Sequence, residues 1–306
     1  MRTAVLLLIA STLALAVAGC GDDDGSGGGG EVRVVATTAI AGDIAGKVGG
    51  GRVDVDVLVP ADADPHDYEP RPSDAVALAE AGLVVRSGGD LDEWLGDLIE
   101  SAGGDAAELT LLDSVNTIEE GDDVDPHWWQ NPRNAILAAQ AVRDALAEAD
   151  PEGRSAYARN AAGYVRDLRA LDREIERCMQ RVPPEKRKLV TTHDSLGYFA
   201  DRYDVEVIGA VIPSLSTQAQ PSARDVERLV ERIEEAGVEA IFPEAAVSQR
   251  IEQAIARESG AEVGDELWAD SLGGEGSGAA TLLDAMRANA TALAEGMSGG
   301  RVTCEG

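Results

Sequence analysis

Hydrophobic positions along the chain fall into two alternating rhythms. Short β-rich runs, Val32 to Thr38, Val53 to Val59, Leu83 to Ser87 and Leu109 to Leu112, are separated by stretches with helical spacing such as Ser73 to Ala81 and Leu91 to Ser101. A further helix is expected from Asn134 to Glu148, after Pro132. Asp150-Pro151 then reads as an N-cap followed by a proline in the first turn. From there to Arg181 there is no proline, and Gly163 is the only interior glycine past the first turn. Tyr157, Tyr164, Leu168, Leu171 and Ile175 recur near helical spacing, so one long helix is predicted, ended by Pro183-Pro184. At 1.5 Å per residue, some 30 residues reach roughly 45 Å, enough to brace two lobes. Beyond it the alternation resumes, with strands at Lys188 to Thr192, Val205 to Ile212, Ala240 to Phe242 and Ala261 to Gly264. Helices are expected near Leu196 to Arg202, Ala223 to Ala236, Gln249 to Ser259 and Ala279 to Met297. The pattern predicts an α/β protein with two Rossmann-like lobes and parallel sheets joined by one rigid helix. The predicted boundaries are an N-terminal lobe at 31–150, a linking helix at 151–182 and a C-terminal lobe with tail at 183–306.

The first apolar run stands outside this scheme. Arg2, the run Ala4 to Val17 and then Val17-Ala18-Gly19-Cys20 have the layout of a signal peptide over residues 1–19. The run falls short of the about 20 residues a spanning helix needs. Val17-Ala18-Gly19-Cys20 resembles a lipoprotein lipobox, which implies cleavage before Cys20 and lipid on its thiol. Gly21 to Gly30 has no side chain able to join a core, so residues 20–30 are expected to form a flexible tether. The mature chain is thus expected to be exported and anchored on the outer face of the cell membrane or its periplasmic side. Export leaves Cys178 and Cys304 as a pair where disulfides persist, and they are expected to be bonded.

The chain carries 26 basic against 56 acidic residues, a net charge of −30. Such a charge argues against nucleic acid or an anionic membrane surface as partner and leaves the tether as the only membrane contact. The expected state is a monomer.

Only three histidines occur in 306 residues, and each sits in a short motif: Asp64-Pro65-His66-Asp67, Asp125-Pro126-His127-Trp128-Trp129 and Thr191-Thr192-His193-Asp194. A chain this poor in histidine has none to spare, and metal coordination is the task that most often collects imidazoles. Each falls near a strand's carboxyl end or a helix start, where open α/β sheets bind ligands in a cleft. Zinc usually takes four ligands. Asp270 in Trp268-Ala269-Asp270-Ser271 is the first candidate for the fourth. Glu244 in Phe242-Pro243-Glu244 is its rival, either as a ligand or as a carboxylate that holds a ligand imidazole. Asp67 and Asp194 read as helix caps. Trp128 and Trp129 suit shielding of a metal and lobe packing equally, while Tyr68, Tyr198 and Phe199 read as packing. Pro65 and Pro126 stiffen the approach to their histidines.

Taken in order, Asp64-Pro65-His66-Asp67-Tyr68-Glu69-Pro70 with Pro72-Ser73-Asp74, Asp125-Pro126-His127-Trp128 with Asn131-Pro132, and Thr192-His193-Asp194 with Tyr198-Phe199 resemble the zinc and manganese receptors that feed ABC importers. The likeness covers about residues 31 to 298. It implies two α/β lobes joined by a rigid helix, with an ion held between them by His66, His127, His193 and Asp270. It also implies an ABC permease as partner and, through it, a cytoplasmic ATPase. Manganese members typically carry a carboxylate at the third position, and the imidazole here suits Zn²⁺ better than Mn²⁺. Zinc receptors often carry a histidine-rich loop before the second motif. Here Glu119-Glu120-Gly121-Asp122-Asp123 stands in its place without a histidine and is expected to be a solvated loop. The alternatives are a manganese or iron receptor of the same family, a surface adhesin lipoprotein, or a zinc hydrolase, the last lacking an evident nucleophile motif.

Overall fold

The computed structural model describes residues 31–121 and 123–304, so the predicted signal segment, Cys20 and the tether lie outside the described residues. Four parallel strands build the N-terminal sheet: β1 (Val32–Thr38), β2 (Val53–Val59), β3 (Leu83–Arg86) and β4 (Ala107–Thr110), in the order β2-β1-β3-β4. The central strands are apolar without alternation because both faces are covered. Helix α1 (Ala39–Gly49) follows β1 directly and is absent from the helices predicted above. Gly42, Gly46 and Gly49 mask its helical signal, yet Gly42 is needed for packing, since a Cβ there would meet Val57 Cγ2 at 2.6 Å. Thr38 caps the helix by accepting from the Ala41 amide.

Helices α2 (Pro72–Glu80) and α3 (Leu95–Ala102) complete one face of this lobe. The single helix expected over Leu91 to Ser101 is instead a 3-10 turn, Gly89–Asp92, followed by α3. Leu111 and Leu112 fall beyond β4, where they turn inward to the core. The acidic stretch expected as a loop forms a small antiparallel ribbon, β5 (Glu119–Glu120) with β6 (Asp123–Val124), exposed to solvent. Helix α4 (Pro132–Ala149) starts on an Asn131 cap.

The long helix is shorter than its sequence pattern suggests. Residues Pro151–Gly153 form a 3-10 turn, and α5 (Arg154–Met179) has 26 residues, about 39 Å at 1.5 Å each. The reason is Asp150, whose carboxylate accepts from Gly153 N–H, Tyr157 Oη and the distant Arg52 guanidinium and so holds the chain in a tight turn before the α-helix begins. Tyr157, Tyr164, Leu168, Leu171 and Ile175 are buried as the spacing predicts. In the C-terminal half of α5, Asp172 accepts from Arg202 in the C-terminal lobe and from Arg133 at the start of α4, so one carboxylate on α5 ties both lobes to the brace.

The second lobe repeats the plan of the first. β7 (Lys188–His193) pairs in parallel with β8 (Glu206–Ile212), and β9 (Ala240–Ile241) with β10 (Glu262–Val263). A parallel bridge from Thr191 to Phe242 joins the pairs, giving the order β8-β7-β9-β10. Helices α6 (Gly197–Tyr203), α7 (Ala223–Ala236), α8 (Arg250–Ser259) and α9 (Leu282–Ser298) pack around it. The largest apolar cluster runs without a break from Val34 and Ile44 through Leu146, Tyr164 and Leu168 to Phe242, Leu293 and Met297. The two lobes therefore share one core, wrapped around α5. No helix among the described residues is long and apolar enough to cross a membrane.

After α9 the tail folds back on α5. Val302 is buried, the Arg181 guanidinium donates to Thr303 O, and Cys178 is disulfide-bonded to Cys304 with Cα atoms 5.5 Å apart. The bond closes a loop of 126 residues. Replacing Cys304 with Ser is expected to lower the unfolding free energy by about 2–5 kcal/mol. Denaturant melts of oxidised wild-type and variant protein check this, and two alkylatable thiols in the exported wild-type chain would contradict the pairing.

Candidate metal centre

Loops at the carboxyl ends of the strands converge on one point between the lobes. His66 sits on a 3-10 turn, Pro65–Asp67, after β2; His127 precedes the turn Trp128–Gln130; His193 is the last residue of β7; Asp270 follows β10. All four side chains are buried, and each offers one ligand atom to a cluster no wider than 4.8 Å. The Asp270 carboxylate lies at the hub: Oδ2 is 3.2 Å from His193 Nε2 and 3.5 Å from His66 Nε2, while Oδ1 is 3.4 Å from His127 Nε2. The Nε2 atoms of His193 and His127 are 3.2 Å apart. A four-coordinate ion with bonds of about 2.0–2.1 Å sets neighbouring ligand atoms roughly 3.3 Å apart, and these four separations, 3.2 to 3.5 Å, are of that size within a cluster bounded at 4.8 Å.

Two of the three imidazoles, His193 and His127, are aimed by what lies behind them. His193 Nδ1 is 2.6 Å from Glu244 Oε2, and Glu244 Oε1 accepts from the His193 amide and Ser195 Oγ. Thr192 Oγ1 accepts from the Glu244 amide and donates to the buried Glu252 carboxylate, so a chain of hydrogen bonds backs this ligand. His127 Nδ1 is 2.7 Å from Asp125 Oδ1, which also accepts from the His127 amide. With Nδ1 engaged, both rings present Nε2 to the centre. Glu244 thus lies behind His193 and Asp270 in the ring of four. Asp125 has the corresponding place behind His127, a role not predicted from sequence although both Asp-Pro-His motifs carry an aspartate two residues before the histidine.

Neither Asp67 nor Asp194 caps a helix, contrary to expectation. The turn that carries His66 is capped instead by Asp64, which accepts from the His66 amide, and α6 has Leu196 at its N-cap with no side-chain cap. Trp128 and Trp129 are both buried and pack at the junction of the lobes. The Trp129 ring is 5.5 Å from His127, and its indole N–H donates to Ala269 O beside Asp270, while Trp128 donates to Ser87 O at the end of β3. Tyr198, expected as packing alone, donates to Asp125 O and accepts from Ile118 N–H, fixing the His127 loop from the C-terminal lobe.

Crowding these groups together shifts their protonation in opposite directions. Burial, then the nearby His127 and His193, push His66 down to about 2, and His127 is driven well below its ordinary value by burial and His193. Burial also opposes charge on His193, but Asp270 and Glu244 outweigh it and lift the imidazole to about 10. Burial raises Asp270 to about 8 against the pull of His193. With His193 and Asp270 only 3.2 Å apart, the pair retains at least one proton at neutral pH, which an arriving cation must displace.

Residues 34–296 match the family described as zinc-uptake complex component A, periplasmic (ZnuA). The chain belongs to this family. Its relatives include the manganese-binding lipoprotein MntA of Halalkalibacterium halodurans, 32% identical over 268 residues that cover 87% of this chain and 89% of the relative. Among solved structures, the fold is that of the periplasmic zinc binding protein TroA from Treponema pallidum, with a TM-score of 0.82, 24% identity and coverage of 88% of this chain and 100% of that one. A Cd-bound periplasmic metal binding protein from Candidatus Liberibacter asiaticus superposes with a TM-score of 0.81 at 26% identity, covering 87% and 100%. Membership makes the chain a metal-binding, substrate-binding component of an ABC transporter, a receptor and not an enzyme. The names of these similar proteins specify manganese, zinc and cadmium, so likeness alone leaves the metal open.

The retained proton changes the pH dependence expected of three ordinary imidazoles. Such a site would have level affinity above about pH 7.5. With His193 lifted to about 10 and Asp270 to about 8, proton competition continues above neutrality, and divalent-cation affinity should go on rising from pH 7 to pH 9. Calorimetry at pH 8 in buffers of different ionisation enthalpy should find about one proton released per ion; none released would contradict the assignment.

Proposed function

We propose that this ZnuA-family receptor captures Zn²⁺ between its lobes, through His66, His127, His193 and Asp270, and hands it to an ABC permease driven by a cytoplasmic ATPase. The donor set carries the reading: three imidazole nitrogens around one carboxylate, at the spacing of a compact four-coordinate ion. Nitrogen-rich sets suit zinc, whereas manganese favours more oxygen. The reading places residues 1–19 as an export signal and Cys20 as the lipid attachment point, with the receptor working outside the cytoplasm. No bond-making or redox step is involved, since zinc is cargo here.

Capture is a displacement. Asp125 and Glu244 hold two rings with Nε2 inward, so little ordering remains to be done when the ion arrives, and Asp270 supplies the negative charge that its partial neutralisation needs. The shared core and the α5 brace limit the lobes to small movements, so release proceeds through the ligand loops. The 32% identity to a manganese-binding lipoprotein favours a second reading, manganese as cargo, on the same residues.

Metal analysis of protein purified without added metal, followed by competition between Zn²⁺ and Mn²⁺, separates the two; preference for Mn²⁺ at equal free concentration would overturn zinc. Replacing His66, His127 or His193 with Ala should weaken Zn²⁺ binding by more than the roughly 10–100-fold that loss of a residue behind a ligand costs. Asp270→Ala should be milder because water can take the fourth place. A larger loss in Glu244→Ala than in Asp270→Ala would reverse the roles of the two carboxylates.

A further inference from the structure

The two Asp-Pro-His motifs are identical in sequence but not in use. In both, the aspartate Oδ1 accepts from the histidine amide two residues on, at 2.9 Å. In the second motif that same oxygen also meets the ring, 2.7 Å from His127 Nδ1. In the first, the other carboxylate oxygen is diverted to the C-terminal lobe, accepting from Thr217 Oγ1 at 2.7 Å. The Gln218 side-chain amide donates to His66 O next to it. His66 Nδ1 is left without a hydrogen bond among the described residues. The carboxylate that faces it is Asp90, with Oδ2 at 3.9 Å.

Asp90 lies on the 3-10 turn after β3, and its loop is built to reach His66 and the second motif together. Gly88 and Gly89 have φ of 97° and 71°, and a Cβ on Gly89 would meet Pro126 Cβ at 2.9 Å. Only glycine lets this turn pass so close to the Asp-Pro-His segment of His127. The Asp90 side chain is 44% exposed, whereas Asp125 and Glu244 are 3% exposed. That exposure puts this carboxylate at the solvent edge of the site, and the like charge of Glu93 and Asp123 favours its movement toward whatever positive charge the site acquires.

We propose that Asp90 is the positioning residue for His66: by accepting from Nδ1–H it holds Nε2 toward the ion and sets how long captured zinc is retained. This rests on the reading of His66 as a ligand. The gap from 3.9 Å to a hydrogen bond is closed by a small rotation of an exposed side chain, or by one bridging water. His193 and His127 have buried, permanent partners, while His66 has an exchangeable one at the solvent edge.

The test uses Zn²⁺ itself. Asp90→Ala should speed Zn²⁺ dissociation, followed by transfer to a chromogenic chelator, by about 10–100-fold, with the melting of metal-stripped protein unchanged. Asp90→Asn, which keeps an acceptor, should recover most of the lifetime. In zinc-loaded, ¹⁵N-labelled protein, the His66 Nδ1–H resonance should shift or exchange away in Asp90→Ala while those of His127 and His193 stay in place. An unaltered resonance and dissociation rate in Asp90→Ala, with normal binding by the unsubstituted chain, would overturn Asp90 alone. The same change produced by Asp64→Ala in place of Asp90→Ala would assign the role to Asp64 and likewise overturn it. Failure of the unsubstituted chain to bind Zn²⁺ would overturn the receptor reading and this inference together.

Discussion

Four ionisable groups held out of water within 4.8 Å of one another are the constraint on which the rest of this structure depends. Burial alone opposes charge on each of them, and the imidazoles and the carboxylate satisfy one another only in part: His66 Nε2 and Asp270 Oδ1 have no hydrogen-bond partner among the described residues. An arrangement of this kind does not assemble from local preference. It persists because rigid surroundings impose it, and a cation ligated by all four groups at once, as proposed, would relieve it.

Those surroundings are layered. Directly behind the rings stand Asp125 and Glu244, which fix tautomer and direction; behind them stand Tyr198, Ser195, Thr192 and Glu252. Farther out, the common apolar core and the Asp172 carboxylate tie both lobes to α5, and the tail is pinned to the same helix through Cys304. A hinge with a flexible crossover would let the lobes open widely and leave the imidazoles free to take up separate protons. The brace removes that freedom, so the proposed binding and release fall to the loops that carry His66, His127, His193 and Asp270.

The wider acidity of the chain plays a different part. Net charge of −30 is spread over a solvated surface, and screening over about 10 Å at 0.1 M salt makes it weak beside direct ligation. Its local concentrations are more telling. Asp90 stands at the solvent edge beside His66 under the like charge of Glu93 and Asp123, a repulsion that a nearby cation would offset.

Much was legible before any coordinates. The alternation of strand and helix patterns specified the two α/β layers and the brace, because parallel strands buried on both faces leave continuous apolar runs, and α5 repeats Tyr157, Tyr164, Leu168, Leu171 and Ile175 on one face. The scarcity of histidine singled out His66, His127 and His193, and position after a strand singled out Asp270 and Glu244. Other features came only with tertiary structure. Helix α1 was hidden because Gly42 and Gly49 serve close packing on β2, and α5 starts late because Asp150 gathers Tyr157 from the following turn and Arg52 from 98 residues away. The two identical Asp-Pro-His motifs differ for the same reason: Thr217, 153 residues away, claims one aspartate and leaves the other to its own histidine. Residue type and local spacing determine which groups are able to bind a metal, while the contacts between lobes decide which carboxylate stands behind which ring.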